Sequence, residues 1–195
     1  AIAEEKFAKK KSKIYGIPIY IFRSRAVKPS NQSIEMHARK IRYLAFEKYI
    51  KKLSCDIFLT AHHANDNLET ILMRLNDGAG LAGIRGIPKS NGFYYRPLLH
   101  FKKKIIEDFQ KKENIDFMVD ETNKDISIKR NLYRHKLVAP WENQAPLLVD
   151  NFTSISKKAA NIEDKLTSVL YLTCKDMKFE NNILKLKSKF LNNYS

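Results

Sequence analysis

Short runs of apolar residues alternate with longer helical patterns over the first 60 residues of the chain. Residues 17–22 (IPIYIF) and 56–60 (DIFLT) are nearly continuous apolar runs, which is typical of strands buried on both faces. Residues 3–14 predict a helix. A second helix is predicted from a cap at Ser33 to about Leu53, because apolar residues recur every three or four positions, at Ile34, Ala38, Ile41, Ala45, Tyr49 and Leu53. This order of elements favours a parallel sheet covered by helices.

The α/β pattern continues to about residue 141 and then changes. The strand that ends at Thr60 passes through a tight junction into a predicted helix. The elements predicted after it are a glycine-rich loop at 78–88, a short apolar segment at 93–99, an amphipathic helix at 101–112, a last strand at 115–119, a polar loop at 120–125 and a helix from Arg130 that stops by Pro140. Residues 146–172 predict helices without strands. We therefore expect an α/β domain over residues 1–140 and a small all-helical domain over residues 141–195.

Charge narrows the classes of partner. The 195 residues include 36 Lys or Arg and 21 Asp or Glu, which gives a formal net charge of +15. Such a chain favours a polyanion, with nucleic acid ahead of an anionic membrane surface, although solvated lysines alone would also produce the charge. Cys55 and Cys174 form no CxxC pair, so neither a disulfide framework nor a cysteine metal site is predicted, and a reduced cytoplasmic location is expected. No apolar run reaches the ~20 residues that cross a bilayer.

A cluster of titratable residues follows the 56–60 strand directly. His62, Asp66 and Glu69 are spaced four and three apart, so a helix would place them on one face. In open parallel sheets, ligands bind outside the carboxyl ends of the strands. The two carboxylates could hold Mg²⁺ and phosphate, and the histidine could donate to phosphate or act as a base. The alternative is structural, with the two acids complementing the helix dipole; a zinc site lacks a third ligand of suitable spacing.

A second cluster joins the acidic loop 120–125 to two arginines. Arg130 and Arg134 are four residues apart and would share one helix face. The planar guanidinium group is suited to bidentate binding of phosphate. From the residues alone, salt bridges between the acidic loop and the basic helix are the favoured alternative.

Several short blocks of sequence stand out between residues 14 and 140. They are HHANDNLET at 62–70, GLAGI at 80–84, GIP at 86–88, RPLL at 96–99, DETN at 120–123 and RNLYRHKL at 130–137 with Pro140. Each block is weak alone, but together, in this order and with these gaps, they resemble the tRNA(Ile)-lysidine synthases, a family of PP-loop ATP pyrophosphatases.

The resemblance implies a fold and a reaction. The fold would be a doubly wound parallel sheet of the adenine nucleotide alpha-hydrolase type. The reaction would be ATP-dependent adenylation of C2 of the wobble cytidine in the isoleucine tRNA with a CAU anticodon. L-Lysine would then displace AMP to form lysidine, which changes the codon read from AUG to AUA. The reaction would require ATP and Mg²⁺, and its partners would be the tRNA and L-lysine. No membrane would be involved. Whether the protein forms a homodimer is left open.

The resemblance also implies residue roles. His62, Asp66 and Glu69 match the family's motif after the strand, and Arg130 matches its arginine close to the reacting groups. We expect Asp66 and Glu69 to meet the metal or the lysine ammonium, with Asp66 as the Mg²⁺ ligand. The phosphates are expected at His62 and Arg130, with His63 and Arg134 as further nucleotide-binding residues.

Two departures from the family pattern limit these expectations. The SGGxDS loop, whose backbone amides cradle the pyrophosphate of ATP, is nowhere in the chain, and Ala82 stands where the family often has an acid. We expect an N-terminally incomplete catalytic domain, with the first strand and this loop missing, that is inactive alone. The alternatives are a non-catalytic RNA-binding paralogue or another PP-loop tRNA-modifying enzyme.

Overall fold

The computed structural model describes residues 2–24, 34–175, 178–180 and 183–185. It begins with helices α1 (Ile2–Tyr15) and α2 (Ile34–Lys52), as the sequence predicts. Gly16 ends α1 with a φ of +65°, a left-handed conformation that glycine adopts without a steric penalty. The cap predicted at Ser33 lies outside the described residues.

A small sheet lies next to α2. It consists of β1 (Phe58–Leu59), β2 (Ser90–Asn91) and β3 (Tyr94–Tyr95) in the spatial order β1-β3-β2. The strands β1 and β3 are parallel, with Phe58 opposite Tyr94, and β2 is antiparallel to β3. Aromatic rings of α2 pack on this pair, since the ring centroids of Phe46 and Phe58 are 4.5 Å apart and those of Tyr43 and Tyr94 are 5.1 Å apart. These contacts fix the position of α2 over the first strand.

Two predicted strands are not formed. Residues 17–22 and 115–119 are irregular backbone, and several of their apolar side chains are well exposed, including Ile17 at 62% and Val119 at 65%. A buried strand needs hydrogen-bonded neighbours, and within the described chain neither segment pairs with another strand. Apolar composition alone therefore does not make a segment a strand.

Helices precede and follow the β2–β3 hairpin along the middle of the chain. The glycine-rich segment 78–88 contains a short helix instead of being loop throughout. The helices of this region are α3 (Ala64–Asn76), α4 (Leu81–Arg85), α5 (Lys103–Lys112), a 3₁₀-helix (Glu121–Lys124) and α6 (Lys129–Leu132).

The helix that starts near Arg130 does not stop before Pro140. It continues from α6 as a π-helix (Tyr133–Val138) and then as α7 (Ala139–Gln144). Pro140 lies in the first turn of α7, where a residue without a backbone N–H is tolerated. The π-helix lies between two α-helical segments, and π turns occur mostly in this way, as single turns inside an α-helix.

The long helix α8 (Leu148–Lys175) shares the core of the preceding residues. The buried cluster contains residues on both sides of residue 141, namely Ala64, Leu68, Val138, Leu148 and Val149, with Leu72, Ala145 and Phe152 packed against it. The division at residue 141 into two domains stays a prediction. The helical character of the last part is confirmed, and this part also contains an antiparallel pair that the sequence reading did not predict, β4 (Lys178–Glu180) and β5 (Ile183–Lys185).

None of the described helices combines the length and the apolar character that crossing a bilayer requires.

Candidate functional site

The site is built around the first turn of α3, which begins directly after β1. His63 is the N-cap, and its Nδ1 accepts a hydrogen bond from the backbone N–H of Asp66 at 3.3 Å. In return, Oδ2 of Asp66 accepts from the backbone N–H of His63 at 2.9 Å. This reciprocal capping box satisfies two N–H groups that a helix start leaves unpaired. An imidazole that accepts at Nδ1 is neutral. Burial favours the same neutral state, because it lowers the pKa of His63.

His62 faces the site from the junction between β1 and α3. Its Nδ1 lies 2.9 Å from Oγ1 of Thr60. Burial lowers the pKa of His62; Asp66 opposes this shift, while the positive charges of Arg96, Arg130 and Arg39 add to it. At neutral pH the ring is therefore uncharged and can accept or donate a proton.

The most buried charge of the site is the Glu69 carboxylate, on a residue that is only 1% exposed. Its Oε2 accepts from Nε of Arg130 at 2.7 Å, and its Oε1 accepts from Nε of Arg134 at 2.7 Å. Nη2 of Arg134 donates a further hydrogen bond to Oε2 at 3.1 Å. The Glu69 carboxylate is thus fully compensated, and the same hydrogen bond raises the pKa of Arg134.

Asp66 completes a network of four charged side chains. Its Oδ1 accepts from Nη2 of Arg130 at 3.1 Å and lies 3.5 Å from Nη2 of Arg134. We refer to Asp66, Glu69, Arg130 and Arg134 as the ion-pair network. With two carboxylates and two guanidinium groups, its net charge is zero.

The polar loop 120–125 supports the network without contributing a carboxylate to it. Asp120 caps the 3₁₀-helix by accepting from the backbone N–H and the hydroxyl of Thr122. Asn131 is buried and donates from Nδ2 to the carbonyl groups of Thr122 and Asp125 at 2.8 and 2.9 Å. The loop therefore fixes α6, which carries Arg130. The alternative of salt bridges between this acidic loop and the two arginines is wrong, since the arginines pair with α3 instead.

An open cavity of about 460 Å³ lies between the network, β1 and α2. The sequence-predicted residues on its wall are His62, Asp66, Arg130 and Arg134; Glu69 and His63 lie behind it. The sequence prediction missed the opposite wall, which α2 supplies with Arg39, Arg42 and Tyr43. Their spacing of three and four residues marks one helix face and was the available signal.

Two other predicted features have structural roles. Gly86 adopts a φ of +68° and approaches Asn67, whose Oδ1 accepts from the backbone N–H of Ile87 at 2.6 Å. The glycine-rich segment thus comes close to α3 and not to the cavity. Arg96 is buried and donates from Nη1 to the carbonyl of Pro88 at 2.7 Å.

The carboxylate of Asp66, the predicted magnesium ligand, is engaged in hydrogen bonds in this structure. Both of its carboxylate oxygens already accept hydrogen bonds, and two guanidinium groups lie beside Oδ1. Within the described ranges, no three His, Cys, Asp or Glu side chains converge as a metal site would require. Magnesium ligation by Asp66 stays a prediction.

Comparison with known families identifies the architecture. A family model described as a PP-loop domain matches residues 1–140. The chain belongs to this PP-loop family. The doubly wound α/β fold of adenine nucleotide alpha-hydrolase type, expected from the sequence blocks, is confirmed for this PP-loop chain. The family assignment also establishes a domain of the ATP-using type.

Two curated relatives carry the same name. The PP-loop chain is 40% identical over 135 residues to the tRNA(Ile)-lysidine synthase of Thermosipho africanus, covering 69% of this chain and 30% of that protein. It is 34% identical over 146 residues to the tRNA(Ile)-lysidine synthase of Francisella tularensis strain WY96-3418, covering 73% of this chain and 36% of that protein. The chain therefore spans about a third of the length of these curated relatives.

A solved structure shows the same fold at much lower identity. The U34-tRNA thiolase NcsA from Methanococcus maripaludis, determined with its [4Fe-4S] cluster, superposes with a TM-score of 0.62 at 14% identity. The match covers 80% of this PP-loop chain and 54% of the thiolase chain. At this identity the likeness concerns the fold alone.

Proposed function

We propose that this PP-loop chain carries catalytic residues of a tRNA(Ile)-lysidine synthase. The reaction transfers AMP from ATP to the C2 oxygen of the wobble cytidine in the isoleucine tRNA with a CAU anticodon and releases pyrophosphate. The amine of L-lysine then attacks C2, the C2–O bond breaks, and AMP leaves. The product is lysidine, with a new C–N bond, and the enzyme is a ligase of that class. The expectation of a cytoplasmic location stays a prediction.

The observation that carries the proposal is the cavity at the carboxyl end of β1. It lies inside the region that matches the PP-loop family, and its wall contains His62, Asp66 and Arg130 in one arrangement. In open α/β sheets this is the position at which ligands bind. The relatives at 34–40% identity are named for lysidine formation, which supports this reaction over other PP-loop chemistry.

The geometry supports distinct roles for the predicted residues. His62, neutral at pH 7 and held at Nδ1 by Thr60, is placed to exchange a proton through its other ring nitrogen. Asp66 and Glu69 hold Arg130 and Arg134 in fixed orientations, which pre-organises the N–H donors of these two side chains beside the reacting groups. Arg130 keeps Nη1 without a hydrogen-bond partner among the described residues, and this N–H group can bind an oxygen of the substrate.

The alternatives are supported less well. A non-catalytic RNA-binding protein would need exposed positive charge, but not a buried network of four charges behind a neutral histidine. A thiolase activity would rest on a fold likeness at 14% identity, which carries no information on chemistry.

The test is a direct assay of the tRNA product. The polypeptide encoded by the whole reading frame that contains these 195 residues is incubated with ATP, lysine and an isoleucine tRNA transcript. Mass spectrometry of the digested tRNA is expected to show one lysyl group added to the wobble cytidine. A transcript with uridine at that position is the control and should stay unmodified. An unmodified cytidine in the presence of the complete polypeptide, ATP and lysine would contradict the proposal.

A further inference from the structure

The positive charge available in the cavity is on α2 and not on the ion-pair network. Arg130 and Arg134 face the cavity, but their charges are balanced by Asp66 and Glu69. Arg39 and Arg42 line the same cavity. Among the described residues, the arginine ion pairs are made by Arg23, Arg85, Arg130 and Arg134, and neither Arg39 nor Arg42 takes part in one. An anion that enters the cavity therefore meets a surplus of two positive charges on the α2 wall.

The two arginines belong to a defined surface. Arg39, Arg42 and Tyr43 share one face of α2, and the guanidinium carbon of Arg39 lies 4.8 Å from the ring centroid of Tyr43. Nη2 of Arg39 also lies 3.3 Å from the Tyr43 hydroxyl. The Tyr43 ring is held against Tyr94 of the sheet at 5.1 Å, so α2 presents this face from a fixed position. The remaining N–H groups of both guanidiniums have no partners among the described residues.

We propose that Arg39 and Arg42 form the phosphate-binding wall of the cavity and that Tyr43 positions the guanidinium group of Arg39. The ligand is a phosphate group of a nucleotide, carried either by ATP or by the backbone of the tRNA. The naming of these two sources rests on the proposed function, whereas the phosphate-binding wall itself rests on charge and geometry.

The chemistry of the wall favours phosphate over other anions. Two guanidinium groups three residues apart can each donate two parallel hydrogen bonds, which matches the several oxygens of a phosphate. An aromatic ring beside arginine is also the combination that binds unpaired nucleotides, through stacking together with backbone contacts. The cavity wall continues from Tyr43 to the rings of Phe46 and Phe58, so an apolar surface adjoins the charged one.

The test compares two double variants of the polypeptide encoded by the whole reading frame that contains these 195 residues. R39Q/R42Q removes the two charges of the α2 wall. K48Q/K52Q removes two charges from the same helix at exposed positions that do not line the cavity. All four side chains are exposed, so both variants are expected to keep the thermal midpoint of the parent chain.

The probes distinguish the two phosphate sources. Equilibrium dissociation constants are measured for ATP, for inorganic tripolyphosphate and for an anticodon stem–loop RNA with the sequence CAU, over a series of salt concentrations. If ATP is the source, R39Q/R42Q weakens ATP and tripolyphosphate binding about ten- to a hundredfold. If tRNA is the source, R39Q/R42Q weakens RNA binding and reduces the magnitude of the slope of log K against log salt by about 1.5. K48Q/K52Q should leave ATP unchanged and alter RNA binding less.

Three results would overturn the proposal: equal effects of the two double variants, no effect of R39Q/R42Q on any probe, or no binding of any probe by the parent chain. The outcome is independent of the lysidine assay. Phosphate binding that depends on Arg39 and Arg42 can be observed even if no lysidine forms, which would contradict the proposed function alone. Lysidine can form even if the two double variants bind the probes equally, which would contradict the phosphate-binding wall alone.

Discussion

Glu69 and Arg134 are joined by two hydrogen bonds, from Nε to Oε1 at 2.7 Å and from Nη2 to Oε2 at 3.1 Å. The two residues are 65 positions apart in the chain, and the carboxylate is almost completely buried. A buried carboxylate is stable only where its charge is compensated and its oxygens are hydrogen-bonded. The pair therefore ties the π-helix that carries Arg134 to the helix that begins the site.

Replacing Glu69 should destabilise the fold strongly. In E69Q the guanidinium groups of Arg130 and Arg134 lose the carboxylate between them, and we expect a loss of about 3–5 kcal/mol in the free energy of unfolding. The measurement is urea denaturation. The control is E163Q, which breaks the half-exposed pair with Arg85 at 2.7 Å and should cost less than about 1 kcal/mol. Similar losses in both variants would contradict the role of burial.

Arginine at position 130 should not be replaceable by lysine. In R130K one ammonium group cannot reach both Asp66 and Glu69 and still present an N–H group to the cavity. We expect kcat for lysidine formation by the complete polypeptide to fall about a hundredfold. R85K, in the half-exposed ion pair with Glu163 and away from the cavity, is the control and should keep the parent rate. Parent activity in R130K would remove Arg130 from the proposed mechanism.

The helix α8 should contribute to stability through one buried hydroxyl group. Ser156 accepts from Nδ2 of Asn67 at 3.1 Å and donates to the carbonyl of Arg85 at 2.6 Å. S156A leaves both buried groups without a partner, so we expect a loss of about 1–3 kcal/mol in the free energy of unfolding. S168A removes an exposed hydroxyl from the same helix and should change it by less than about 0.5 kcal/mol. Equal effects would show that the buried contact is not formed.

Two glycines with positive φ should respond differently to alanine. A Cβ at Gly86 would overlap Oδ1 of Asn67 and lie 2.9 Å from Cγ1 of Ile71, in addition to the backbone strain at φ +68°. A Cβ at Gly92 meets nothing within 4 Å and has the strain alone, at φ +56°. Thermal denaturation should show a loss of about 1–2 kcal/mol for G92A. G86A should lose about 3 kcal/mol or more, since overlap adds to strain. A smaller loss in G86A would disprove the close approach.

Stability should fall as the pH drops below the ordinary histidine pKa of 6.5. Burial lowers the pKa of both His62 and His63, so in this range the unfolded chain binds more protons than the folded one. The free energy of unfolding therefore rises with pH through this window. Urea denaturation at pH 7.5 and 5.5 measures the change. H63N keeps a capping side chain at the start of α3 and should reduce the pH dependence. An unchanged or steeper dependence in H63N would contradict the assignment.

The main helices and the candidate residues could be predicted from local patterns. The periodicity of α2 and the position of His62 directly after an apolar strand depend on neighbouring residues, so the sequence carries them. The strands predicted at 17–22 and 115–119 failed because a strand depends on a partner elsewhere in the chain. The same limit applies to Arg39 and Arg42, because their spacing indicates one face of α2 but does not show that this face lines a cavity.

The sequence by itself determined the PP-loop family, the helical elements and the residues that gather after β1, because each of these follows from motif order and local spacing. Only the tertiary structure decided which charges compensate one another. Local spacing favoured salt bridges between Arg130 and the adjacent acidic loop, yet Arg130 and Arg134 bind Asp66 and Glu69, about 65 residues earlier. The reason is physical: the energy of an ion pair depends on distance and burial in space, and neither quantity is encoded in the separation along the chain.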